Sequence, residues 1–284
     1  MNRRLIISDL DGTLLNKKGE LSKETIETVK KVIAAGHVFC ISTGRPRRSA
    51  IKFYTELGLT TIMSNINGGY ISNPSDPSFY PINNVFSKDI LFNLLNDETI
   101  RSHTKKLYVE NQQGGIIFYK DEDIEVSDDI VELFHVNKKD VVKIDINKKE
   151  DWDIVTGDIY SILISINKKS LDDVSFAIKA CTTTLFVDYW KNPKNPDIIT
   201  IDIRTTFQNK GSALEFVACY YGIPLRNTYA FGDGRNDIDM MKLTTRSYAM
   251  KNGHYAVKMA SYKITSHSND DDGVAKQLKK SLLV

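Results

Sequence analysis

Short, wholly apolar runs alternate with amphipathic stretches in the first and last thirds of this 284-residue chain, and polar loops close the runs. Residues 5–8, Leu-Ile-Ile-Ser, are such a run, apolar up to the closing serine. A strand covered on both faces has no polar side, so it reads as continuous rather than alternating. Ser22 is placed to cap a helix over residues 23–35, with Ile26, Val29, Val32 and Ile33 on one stripe and Gly36 as its stop. Residues 37–42 predict a second strand. Pro46 suits the first turn of a second helix ending near Gly58, and residues 61–64 predict a third strand. The last third repeats the pattern, with helices over 210–221, 236–243, 255–260 and 274–283 and strands over 229–231, 247–250 and 263–265. Strands separated by helices pair in parallel through right-handed crossovers, which predicts an α/β fold with a doubly wound parallel sheet.

The middle third departs from this. Residues 107–110 and 116–119 read as a hairpin around a turn containing Gly114 and Gly115. Further strands are expected over 161–166, 185–189 and 198–203, with a helix over 171–180. The expectation is a core made of residues 1–83 and 205–284, interrupted by an α+β domain with an antiparallel sheet over 84–204. Pro- and Asn-rich stretches at 73–84 and 191–197 punctuate it. The charge-rich residues 138–150 read as a solvated surface segment.

Charge narrows the classes of partner. Lys and Arg number 38 and Asp and Glu 36, a net +2, without the basic excess of a nucleic-acid or membrane-surface binder. No stretch approaches the ~18 apolar residues of a membrane helix, and the start does not read as a signal peptide. Cys40, Cys181 and Cys219 lie far apart in apolar contexts with no CxxC pair, and read as buried thiols in a reducing cytoplasm.

Four polar loops carry the chemistry. Asp9-Leu10-Asp11-Gly12-Thr13 follows the first predicted strand. In an open parallel sheet, sites form at the carboxyl ends of strands. Two acids at i and i+2 there can supply a carboxylate nucleophile and an acid/base, although the same letters also spell an Asp-Gly turn. Ser42-Thr43-Gly44-Arg45 ends the second strand. Hydroxyls and free N–H groups at a helix start suit an anion, or simply cap the helix. Lys210 opens a helix, either balancing a phosphate and an acid or lying on the surface. Gly232-Asp233-Gly234-Arg235-Asn236-Asp237 offers oxygen ligands of the kind Mg²⁺ takes, or is a turn.

Taken in this order, the four loops resemble the motifs of the haloacid dehalogenase (HAD) superfamily, and most closely its Cof-type hydrolases. The resemblance covers nearly the whole chain and includes Asn67-Gly68-Gly69, Ala249-Met250-Lys251-Asn252-Gly253 and residues 265–275. Lys251 departs from the family's usual Gly at that position. The resemblance implies a Rossmann-like, HAD-like core with an inserted α+β cap of type IIB. It also implies a Mg²⁺-dependent phosphatase that hydrolyses small phosphate monoesters, sugar phosphates or phosphorylated cofactors, through an aspartyl-phosphate. Asp9 would be the nucleophile, and Asp11 the general acid and then the base. The Asp9 and Asp233 side chains and the Asp11 backbone carbonyl would hold Mg²⁺. Thr43, the Gly44 N–H, Lys210 and Asn236 would hold the phosphoryl oxygens. Asp237 would orient Lys210 or a metal-bound water, while Thr13, Ser42 and Arg45 would stand behind the ligands. The cap would bind the leaving group, with Tyr189, Trp190, Lys191 and Asn67 as guesses at specificity. The expected partner is a small phosphorylated metabolite, and the expected state a cytoplasmic monomer or weak homo-oligomer. A phosphomutase and a catalytically idle phosphometabolite sensor are the competing readings.

Overall fold

The computed structural model describes residues 3–119, 142–191 and 195–283. The chain opens with β1 (Leu5–Ser8), α1 (Lys23–Ala34), β2 (Val38–Ser42), α2 (Arg47–Glu56), β3 (Met63–Asn65), β4 (Tyr70–Ser72) and β5 (Ile82–Asn83). It continues through α3 (Lys88–Asn96), α4 (Glu98–His103), β6 (Thr104–Asn111), β7 (Gly114–Tyr119), β8 (Val142–Asp145), β9 (Ile159–Asn167), α5 (Leu171–Cys181), β10 (Leu185–Lys191) and β11 (Ile198–Thr205). It closes with α6 (Lys210–Tyr220), β12 (Thr228–Gly232), α7 (Ile238–Leu243), β13 (Arg246–Ala249), α8 (Tyr255–Ala260), β14 (Lys263–Ile264) and α9 (Gly273–Leu282). Contacts divide the chain into one unit of Met1–Ile82 with Phe207–Val284, and a second of Asn83–Thr206.

The first unit holds a sheet of order β14-β13-β12-β1-β2-β3-β4-β5. From β14 to β3 every neighbouring pair is parallel, and β4 returns antiparallel to β3. Alternate residues of one strand feed two cores, which is why the runs are apolar throughout. Ile6, Phe39, Ile41 and Phe231 pack with Val29 and Val32 of α1 and Val274 and Leu278 of α9. Leu5, Ile7, Cys40 and Ala230 pack with Leu214 and Val217 of α6 and Met240 and Met241 of α7. Helices on both faces make this the doubly wound α/β core that the sequence predicts. Ser22 caps α1 by accepting a hydrogen bond from the Thr25 N–H at 3.0 Å.

The second unit is an α+β insert whose sheet runs β10-β11-β9-β6-β7-β8. Its pairs are antiparallel except β7 with β8. Period-2 alternation gives it one apolar face. Leu107, Val109, Ile162, Ile164, Ile199, Ile201 and Ile203 pack against Leu91, Leu94 and Leu95 of α3 and Val174 and Ile178 of α5. The residues between them, among them Glu110, Ser161 and Asp202, point to the other face, where Asp202 accepts from the Ser161 hydroxyl at 3.0 Å and pairs with Arg204 at 2.6 Å.

Several expectations need correction. The β6–β7 turn is made by Gln112 and Gln113, and Gly114 and Gly115 open the return strand. Residues 138–141 and 192–194 lie outside the described residues. The rest of the charge-rich segment is not simply solvated: Ile144 and Ile146 alternate with Lys143 and Asp145 and are buried in the insert's core, as is Trp152. Only Cys40 is buried; Cys181 is half-buried and Cys219 exposed. Among the described residues no helix is long and apolar enough to cross a membrane.

Candidate active site

From β1 the chain proceeds to β2 and β3 on one side, and β12, β13 and β14 lie on the other. Strand order reverses between β1 and β12, and the carboxyl ends at such a switch point are where open α/β sheets form their binding crevice. Asp9 follows β1 and Asp233 follows β12. The Asp9 N–H donates to the Phe231 carbonyl at 3.0 Å, so pairing with β12 extends to the first residue of the acid motif.

Lys210, the first residue of α6, is fully buried rather than on the surface. Asn209 caps that helix by accepting from the Ser212 N–H at 2.8 Å. The Lys210 Nζ lies 2.8 Å from the Asp9 carboxylate and 2.6 Å from Asp237 Oδ1. Asp237 Oδ2 accepts the N–H groups of Asp233 and Gly234 at 2.9 and 2.8 Å. Both oxygens of Asp237 are thereby engaged, tying the lysine to the Asp233 loop.

The charges are out of balance. Asp9, Asp233 and Asp237 each offer an oxygen within 4.8 Å of the others, with one ammonium among them. Burial pushes the Asp9 carboxyl well above the carboxylate range; Lys210 opposes this, and Asp237, Asp233 and Asp11 add to it. Burial, then Asp237, push Asp233 up to about 6 against the Thr13 hydrogen bond. Burial would lower the Lys210 pKa, but the Asp237 and Asp9 carboxylates outweigh it and hold the ammonium form. Buried oxygens with surplus negative charge fit a hard divalent cation. With Asp237 engaged, Asp9 and Asp233 are the side chains able to hold it.

The loop between the two acids is fitted closely. Gly12 has φ +68°, and a Cβ there would fall 2.3 Å from Asp233 Oδ2. The left-handed backbone and the close approach both require glycine. The Thr13 hydroxyl donates to Asp233 Oδ1 at 2.9 Å. Asn252 Nδ2 donates to the Gly12 carbonyl at 2.8 Å, and Asn252 Oδ1 accepts from the Asn269 N–H at 3.0 Å.

The Asp11 carboxylate lies outside the acid cluster. Arg45 takes it in a fork, Nε to Oδ2 at 2.7 Å and Nη2 to Oδ1 at 2.5 Å. Arg45, expected only to stand behind the ligands, therefore touches Asp11 directly. Thr43 is buried, and its hydroxyl oxygen accepts the Arg45 N–H at 3.1 Å. Ser42 is buried at the end of β2, and its hydroxyl has no hydrogen-bond partner among the described residues. Gly44 is exposed in the turn after β2. Pro46 occupies the N-cap of α2 rather than its first turn, and Gly44 precedes the helix. Asn236 sits on a single 3₁₀ turn, Arg235–Asp237, ahead of α7, and its Nδ2 donates to Asn67 Oδ1 at 2.9 Å.

The fold thus gathers Asp9, Lys210, Asp233, Asp237 and Thr13 into one bonded cluster, pairs Asp11 with Arg45, and links Asn236 to Asn67. Sequence reasoning missed the contact of Asn252 with Gly12, which spans 240 positions. Its only signal was the resemblance around residues 249–253.

Comparison with known proteins identifies the family. The sequence profile of the haloacid dehalogenase-like hydrolases matches residues 6–278. The chain is 30% identical over 278 residues to the 5-amino-6-(5-phospho-D-ribitylamino)uracil phosphatase YitU of Bacillus subtilis, covering 97% of this chain and 96% of that protein. It is 25% identical to the phosphatase YwpJ of the same organism, covering 98% and 100%. In fold it matches a haloacid dehalogenase-like hydrolase from Bacteroides thetaiotaomicron with TM-score 0.77, at 24% identity and 98% and 99% coverage. It matches the HAD subclass IIB sugar phosphatase BT4131 with TM-score 0.78, at 19% identity and 99% and 100% coverage. The chain belongs to the haloacid dehalogenase-like hydrolases and is an enzyme of their phosphatase, or phosphoric monoester hydrolase, class.

Proposed function

We propose that this enzyme is a Mg²⁺-dependent phosphatase that cleaves small phosphate monoesters by forming an aspartyl-phosphate on Asp9. The observation that carries the reading is the buried Asp9 carboxylate at the carboxyl end of β1, held 2.8 Å from a fully buried Lys210 ammonium. A carboxylate fixed beside a cation can approach a phosphate that would otherwise repel it.

In the first step an Asp9 oxygen bonds to phosphorus, the ester P–O bond breaks, and Asp11 gives its proton to the leaving oxygen. In the second, Asp11 takes a proton from water as the water attacks phosphorus and the P–O bond to Asp9 breaks. Lys210, Thr43, the Gly44 N–H and Asn236 hold the phosphoryl oxygens. Asp237 orients Lys210, which is supported by its bonds to that lysine and to the Asp233 loop. Asp9, Asp233 and the Asp11 carbonyl are the groups to hold Mg²⁺, with Thr13 steadying Asp233. The bound ion would neutralise phosphate charge.

The insert, residues 84–204, serves as the specificity cap. The names of the relatives, a phosphatase of a ribityl phosphate and a sugar phosphatase, support a phosphorylated sugar or a phosphorylated cofactor or its precursor as substrate. Three free thiols support a reducing cytoplasm. A screen of phosphorylated metabolites for released phosphate tests reaction and substrate together. Activity that needs Mg²⁺, is stopped by EDTA and is lost in Asp9→Asn is the expected result; turnover by Asp9→Asn overturns the nucleophile.

A further inference from the structure

Three successive residues after β3 adopt left-handed backbone: Ile66 at φ 51°, Asn67 at 53° and Gly68 at 93°. For a β-branched residue such as Ile66 this is a true outlier. Strain of this kind persists where the surroundings over-determine it, and it clusters at functional sites. Here the surroundings do so. The Ile66 N–H donates to the Arg45 carbonyl at 3.2 Å, and the Asn67 N–H to the Thr43 carbonyl at 3.0 Å. Asn65 Nδ2 donates to the Arg45 carbonyl at 3.1 Å. On the other side, buried Gln208 donates to the Ile66 carbonyl at 2.9 Å. Gly68 packs so closely that a Cβ would come 2.8 Å from the Asn209 carbonyl. The turn is clamped between the Thr43–Arg45 loop and the start of α6.

The product of that clamp is the placement of one carboxamide. Asn67 Oδ1 accepts from Asn236 Nδ2 at 2.9 Å and lies 3.3 Å from where a Gly44 Cβ would be. Asn67 therefore bonds to one of the positions assigned above to the phosphoryl oxygens and lies beside another. A carboxamide presents an acceptor at one end and two N–H donors at the other. Giving one N–H of Asn236 to Asn67 fixes which end of Asn236 faces the crevice and leaves the second N–H to donate.

We propose that Asn67 is a positioning residue of the phosphoryl site, held in left-handed backbone so that it orients the donor face of Asn236. The inference rests on the reading that Gly44 and Asn236 hold phosphoryl oxygens. Asn67→Gly tests it best, because glycine takes the same backbone without strain and removes only the carboxamide. Wild type, Asn67→Gly, Asn236→Ala and the double variant are compared by kcat and KM on p-nitrophenyl phosphate, and by calorimetric binding of inorganic phosphate. Asn67→Gly is expected to keep the wild-type melting temperature while losing about tenfold in kcat/KM and in phosphate affinity, the scale of one hydrogen bond. The double variant is expected to lose no more than Asn236→Ala alone. Asn67→Asp keeps the acceptor but sets an anion beside Gly44, and should bind phosphate more weakly than Asn67→Gly. Wild-type kinetics in Asn67→Gly, or losses that multiply in the double variant, overturn the inference. If wild type releases phosphate from no ester, the phosphatase reading fails instead, and phosphate binding still decides whether Asn67 and Asn236 are coupled.

Discussion

Arg45 grips both carboxylate oxygens of Asp11, at 2.7 and 2.5 Å, and its own guanidinium rests over the Phe53 ring at 5.2 Å from the centroid. The acid that the mechanism requires to give and take a proton is thus restrained through a rigid fork, itself packed on the core. Such a fork fixes the geometry of a carboxylate. General acid–base catalysis is worth typically 10²- to 10⁴-fold. In kcat/KM, which reports the first step, Asp11→Asn should lose an amount in that range on alkyl phosphates and much less on p-nitrophenyl phosphate, whose leaving group needs little protonation. Arg45→Met should show the same leaving-group pattern at about a tenth of the activity, because Asp11 keeps its chemistry but not its aim. A uniform loss across leaving groups would refute the acid role of Asp11.

Lys210 is buried between two carboxylates. Lys210→Met keeps the volume and leaves Asp9 and Asp237 unpaired. Breaking a buried pair in this way costs about 3–5 kcal/mol, so denaturant unfolding at pH 7 should show a loss of that size along with abolished turnover. The deficit should shrink as pH is lowered toward 5, where the stranded Asp9 carboxyl, raised by burial, takes up a proton. Unchanged stability would mean that the ammonium does not offset those charges.

Asp233 gives the pH dependence. Its ordinary value is 3.8, and in the folded protein it stands at about 6. Between these values the folded state binds more protons than the unfolded, so the stability of the metal-free protein falls as pH rises through that window. The cost above pH 6 is on the order of 2–3 kcal/mol. Asp233→Asn should therefore raise the melting temperature of the metal-free protein at pH 7 while abolishing Mg²⁺ binding. In wild type, Mg²⁺ should stabilise strongly at pH 7.5 and weakly at pH 5, because the cation needs the ionised carboxylate. Thermal melts with Mg²⁺ or EDTA at the two pH values read both effects.

Gly12→Ala forces a Cβ to within 2.3 Å of Asp233 Oδ2 on a left-handed backbone. The backbone alone costs about 1–2 kcal/mol. Displacement of Asp233 should add a loss of Mg²⁺ affinity, seen as a higher Mg²⁺ concentration for half-maximal activity. Gly36→Ala, also at positive φ but with nothing within 4 Å, is the control: it should lose stability and leave the Mg²⁺ requirement unchanged.

The elements were legible because their signals are local. The residues 5–8 run must be covered on both faces, since Leu5, Ile6 and Ile7 leave it no polar face. The Ile26–Val29–Val32–Ile33 stripe has helical period, and Ser22 stands one position before the first helical residue, Lys23. Within residues 142–150 the burial of Ile144 and Ile146 was missed because abundant lysine hid their two-residue alternation. In an edge strand such as β8 that alternation spans too few residues to stand out from its charges.

Sequence alone determined the α/β alternation, the inserted α+β segment and the four loops at strand ends, because periodicity and loop chemistry act over a few residues. The tertiary structure alone decided that Lys210 is buried between Asp9 and Asp237, that Arg45 holds Asp11, and that Asn252 reaches Gly12. The same is true of the strained turn at Ile66, which brings Asn67 to Asn236. These contacts join positions from 27 to 240 residues apart. Burial and charge at such a site are set by which strands become neighbours, and that is fixed by packing two cores onto one sheet rather than by any stretch of chain.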